Sequence, residues 1–143
     1  MKYLMIVAMA WLVAQGGKHL AHALGRNRRV FGGNPRSALM LSGGMPSAHA
    51  ASVVALAVAI GWYDGVHSAA FAVAAFYAAV VMYDAMMVRF SSGEQGDMLN
   101  KIISSQKLPF KKIKVAHGHT GVEVLVGAIV GAFVAAIVIF TTK

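Results

Sequence analysis

Gly121-Val122-Glu123-Val124-Leu125-Val126-Gly127-Ala128-Ile129-Val130-Gly131-Ala132-Phe133-Val134-Ala135-Ala136-Ile137-Val138-Ile139-Phe140-Thr141 carries one charge, Glu123, at its third position. About 20 apolar residues cross the hydrocarbon of a bilayer. Alternation is absent and Ala, Val and Ile dominate, so the run reads as a membrane helix and not as a barrel strand. Three more segments have the same character: Tyr3–Leu24, Ser47–Trp62 and Ser68–Val88. The second is short for a span, and the third has Asp84 as its charge before Arg89. A signal peptide is the competing reading of the first segment. Its basic start is Lys2 alone and no small-x-small cleavage site ends it, which argues against that reading.

The composition agrees. Hydrophobic residues make up 58% of the 143 and charged residues 13%, which excludes an ordinary soluble domain. The length fits one domain, 1–143. With no cysteine, disulfides, thiolate metal sites and cysteine nucleophiles are excluded. The net charge of +8 sits between apolar segments, so anionic lipid and membrane topology explain it better than nucleic acid does. The expected architecture is all-α: four principal hydrophobic helices and a short interfacial helix over Glu94–Ile103.

Positive charge alternates between connections. The stretch Gly25–Pro46 carries Arg26, Arg28, Arg29 and Arg36; Arg89–Gly118 carries Arg89, Lys101, Lys107, Lys111, Lys112 and Lys114. The turn Tyr63–His67 has only Asp64. The positive-inside rule places both basic connections in the cytoplasm and both termini outside. The expected location is a bacterial inner membrane or an organellar membrane. Small residues mark packing faces: Gly127 with Gly131, and Ala55, Ala59, Ala70, Ala74 and Ala78. They are the candidate seams of an expected homo-oligomer.

Polar residues at span ends are few: His49, Asp84, Arg89, His117, His119 and Glu123. All lie where spans meet the basic connections, so the topology gathers them at one membrane face. In Gly43-Gly44-Met45-Pro46-Ser47-Ala48-His49, glycines precede a helix start that favours an anion, with a hydroxyl and an imidazole beside it. Thr120 and Glu123 have capping-box spacing; Glu123 is equally placed to orient His119. Arg89 is either an interfacial anchor or a phosphate fork, and Asp84 is its expected partner. His19 and His22 lack the further ligands a metal needs, so no metal and no cofactor is expected.

Gly43–His49, continued by Ala50-Ala51-Ser52-Val53-Val54-Ala55-Leu56, resembles a stretch of the divergent type-2 phosphatidic acid phosphatase family. So do Ala10-Trp11, Ala14-Gln15 and Lys18, and Met82-Tyr83-Asp84-Ala85 with Val88-Arg89. Further on, Gly93-Glu94-Gln95, Leu99-Asn100, Gly118–Val124 and Gly127-Ala128 match in the same order. The resemblance implies a metal-free histidine phosphatase, related to lipid phosphatases and vanadium haloperoxidases. It makes His119 the nucleophile, Glu123 its orienting carboxylate and His49 the acid for the leaving group. Phosphate contacts fall to Ser47, Gly44, Arg89, Lys114 and Arg36, supported by Asp84, Glu94 and His117. Six residues before His119, where relatives carry arginine, this chain has Ile113. The relatives' first lysine–arginine motif is also absent. The implied substrate is a phosphomonoester or pyrophosphate on a lipid, with membrane lipids the other expected partners. The alternative is a relative that binds lipid phosphate or acts as a membrane scaffold without turnover.

Overall fold

A computed structural model describes residues 1–23, 44–113, 115 and 118–142. Among these the chain is all-helical: α1 is Lys2–Ala23, α2 Ala48–Tyr63, α3 Ala69–Tyr83, α4 Arg89–Ser105 and α5 Gly121–Thr141. Side-chain caps start three of them. Ser47, Ser68 and Thr120 accept the N–H of Ala50, Phe71 and Glu123, which satisfies donors the first turn leaves unpaired. Among the described residues three helices are long and apolar enough to cross a membrane, and α2 is a shorter apolar helix.

The central helix is α2, packed on α5, α1 and α3, with α1 also against α5. Its core is built from small residues. Ala10, Ala55, Ala59 and Ala135 meet Ile6, Val134 and Ile139, and Ala14, Ala48 and Ala51 continue the seam. Lipid is as apolar as these side chains, so close backbone approach and dispersion hold the helices together. The larger residues point outward: Val73, Phe76 and Tyr77 on α3, Leu125, Ile129 and Phe133 on α5.

Gly127 and Gly131 are committed within the chain. A Cβ at Gly127 would run into the backbone of Ser47, and one at Gly131 into that of Ala51. The expectation that this pair forms a seam between copies is therefore corrected: α2 already fills the groove.

The helix expected over Glu94–Ile103 is longer and is not separate. Helices α3 and α4 join through a π-helical turn, Asp84–Val88, into one helix of 37 residues, Ala69–Ser105. Ser91, Ser92 and Gly93 look like a break in the sequence but contain no proline to stop the ladder. At 1.5 Å per residue the joined helix is about 55 Å long, well beyond a hydrocarbon core of about 30 Å.

The two ends of the bundle differ. At one end the Tyr3 hydroxyl donates to Asp64 Oδ1 at 2.8 Å, Lys2 Nζ lies 3.6 Å from the Tyr63 ring centre, and Trp62 meets Phe140 edge-on. This is the composition of a membrane-interface belt. The starts of α2 and α5 and the π turn define the opposite end.

Candidate active site

At that opposite end the starts of α2 and α5 are tied together. The Ser47 N–H donates to the Glu123 carbonyl at 3.1 Å, and the absence of a side chain at Gly127 allows the approach. Two helix N-termini side by side present positive dipole ends to one region. Ser47 is fully buried and its hydroxyl serves as the N-cap, accepting from Ala50 N–H at 3.4 Å.

His119 is buried one residue before the cap of α5. Its Nδ1 lies 3.3 Å from Glu123 Oε2. The same oxygen accepts the Thr120 N–H at 3.0 Å. The capping and orienting roles of Glu123, alternatives in the sequence, coexist on one carboxylate oxygen. A neutral imidazole that donates Nδ1–H to this carboxylate carries its lone pair on Nε2.

The backbone of His119 is fixed by the π turn. Arg89 N–H reaches back five residues to the Asp84 carbonyl. The Ala85 carbonyl, which Arg89 would use in an α-helix, accepts His119 N–H at 3.0 Å instead. π turns concentrate at functional sites because they release such groups.

His49 is exposed, at the second position of α2. It lies close enough to Arg89, Lys18, His119 and Asp84 to interact electrostatically with each. Arg89 is exposed and its Nε is 2.6 Å from Asp84 Oδ2, the pairing the sequence suggests. Gly44 is half-buried with φ of 77°, a conformation that favours glycine. Glu94 is exposed on α4. Arg36, Lys114 and His117 lie outside the described residues.

One side chain was missed as a site residue. Lys18 is 3% exposed and lies within electrostatic reach of both His49 and Glu123. Ile6, Ala10 and Ala14 are fully buried, and Lys18 is the next residue of that four-residue stripe. Gly17 beside it abuts Pro46, which brings this part of α1 to the start of α2. The four-residue spacing of Ile6, Ala10, Ala14 and Lys18 carries this signal in the sequence. Gln15 is also buried, one turn before it.

The divergent PAP2 family model matches residues 1–134. The uncharacterized membrane protein YuiD of Bacillus subtilis (strain 168) is 35% identical over 105 residues. That match covers 63% of this chain and 66% of YuiD, a little under two thirds of the relative. No solved structure matches significantly. With the family model spanning nearly all of it and a membrane protein among its relatives, this chain belongs to the divergent PAP2 family.

Proposed function

We propose that the protein is a membrane-embedded histidine phosphatase that acts on a phosphomonoester or pyrophosphate of a lipid. The observation that carries this reading is the buried His119–Glu123 pair beside two helix starts and Lys18. His119 Nε2 attacks phosphorus, the bond from phosphorus to the leaving oxygen breaks, and His49 gives that oxygen a proton. The phosphohistidine is then cleaved by water, which transfers a proton to His49 as the P–N bond breaks. Lys18, Arg89 and the helix N-termini stabilise the equatorial oxygens. Arg89 spends Nε on Asp84 and keeps its terminal nitrogens for this contact.

The purified protein in mixed micelles should release inorganic phosphate from phosphatidic acid, phosphatidylglycerophosphate or a polyprenyl pyrophosphate. With phosphorus-labelled lipid it should carry acid-labile label on His119. No release and no label from any of the three would remove the reading. His49→Ala should lower turnover of an alkyl phosphate by about 10²- to 10⁴-fold and leave an aryl phosphate, whose leaving group needs no proton, nearly unchanged. Equal losses on both substrates would assign His49 another role.

One observation favours a second reading, lipid-phosphate binding without turnover. Ile113 stands six residues before His119, where the relatives carry arginine, so a cation that would serve turnover is missing while Lys18 and the helix starts remain to bind phosphate. Phosphatidic acid binding that survives in a protein releasing no phosphate would establish it.

The same proposal puts the site on the cytoplasmic face of the membrane. A cysteine placed at Asp64, in the belt opposite the site, should react with an impermeant thiol reagent in intact cells. One at Ser105 or Asn34 should not. The reverse pattern would put the site on the outer face. Self-association belongs to this proposal too; with Gly127 and Gly131 occupied, its seam falls to the exposed faces of α3 and α5.

A further inference from the structure

The chain returning from α4 to His119 is fastened to α4 at three points. Asn100 Nδ2 donates to the Ile113 carbonyl and Asn100 Oδ1 accepts the Ile113 N–H, both at 2.9 Å. One side-chain amide thereby pairs with both polar groups of a single residue, as a neighbouring backbone would. One turn earlier Gly96 receives Val115; a Cβ there would lie 2.7 Å from Val115 Cγ2. At the start of α4, Gly118 rests on the backbone of Phe90 and Arg89 and has no room for a side chain. Phe90, Gly93, Gly96 and Asn100 recur at three- and four-residue spacing, which puts them on one face of the helix. Gly93 and Gly96 are the buried positions of an otherwise largely exposed α4.

This fastening ends on His119. The residue after Gly118 is His119 itself, whose N–H is held by the Ala85 carbonyl of the same long helix. Its ring is held separately by Glu123, on α5. The imidazole thus takes its backbone position from one helix and its ring orientation from another.

We propose that Asn100 and Gly96 are positioning residues for His119. The proposal rests on the reading of His119 as the nucleophile. A reacting group must be held within about 0.5 Å of its productive place. A coil between two helices does not supply that by itself, and the contacts at Asn100 and Gly96 fix the approach to His119. Neither residue is placed to touch the substrate, so both act on turnover through His119.

The test compares wild type, Asn100→Ala and Gly96→Ala in two assays. The first is carbethoxylation by diethyl pyrocarbonate, read at each histidine by peptide mass. His119, buried, should label slowly in wild type, and exposed His49 should label fast. Both variants should raise labelling of His119 severalfold and leave His49 unchanged. The second is phosphate release, where kcat should fall about 10- to 100-fold with KM within about twofold. Protection of His119 that persists in both variants overturns the proposal, whatever the turnover. Protection lost in the variants of a protein that releases no phosphate as wild type upholds the positioning and removes the phosphatase reading. A variant that elutes as aggregate is replaced by Asn100→Asp, which keeps the acceptor for Ile113 N–H. It should fall between wild type and Asn100→Ala in both assays, and wild-type labelling of His119 in it overturns the proposal.

Discussion

His119→Ala should lower phosphate release by about 10⁴-fold or to background, roughly 5 kcal/mol of transition-state free energy. The acid-labile phosphate label should vanish with it. The size of the loss follows from the chemistry, because the substitution deletes the attacking nitrogen itself. His119 is buried at the junction of the π turn and α5 and is not part of the α2–α5 seam. The variant should therefore keep its elution volume and still bind lipid phosphate through Lys18 and the helix starts. Glu123→Gln should cost less, because a neutral amide still accepts the Thr120 N–H but no longer stabilises charge on the imidazole. Turnover undiminished in His119→Ala would end the phosphohistidine mechanism.

The second large effect is structural. Gly127→Val and Gly131→Val should each cost about 3 kcal/mol, the upper part of the range for overpacking. In both cases the obstacle is backbone, of Ser47 and Ala51, which has no alternative rotamer. Together they should separate α5 from α2 and abolish a cooperative thermal transition in detergent. The separation would also break the Ser47–Glu123 link, so the site should disassemble with the bundle. Gly65→Ala in the α2–α3 turn is a suitable comparison. It sits at φ of 87° in open space, so its cost is conformational strain alone.

The apolar helices are legible in the sequence as apolar runs, α2 as a short one, and α5 forms over the residues expected, Gly121–Thr141. The continuity of α3 into α4 is not legible. Two serines and a glycine at 91–93 resemble a linker, and what makes the helix worthwhile there is the packing of Val115 and the Asn100–Ile113 pairing, contacts far along the chain. Gly127 and Gly131 announce close approach, yet spacing alone does not say whether the partner is another helix of the same chain or a second copy. Glu123 shows a different limit. Its distance from Thr120 and from His119 satisfies two roles at once, and in the folded chain one oxygen serves both. Lys18 is the opposite case. The stripe of Ile6, Ala10 and Ala14 continues onto it, so its burial follows from helical spacing alone.

The π turn at Asp84–Val88 also sets an angular phase. Each residue of an α-helix advances about 100° around the axis, and a π turn accommodates one residue beyond a regular turn. Without that residue the whole of α4 would rotate by about the same angle relative to α3. The groove made by Gly93 and Gly96 would then face away from the chain it now receives. The length of this helix fixes how far α4 reaches, and a single residue of wider winding fixes which way it looks. A deletion within 84–88 is thus a different kind of lesion from any substitution there. It leaves every side chain of α4 intact and turns all of them at once.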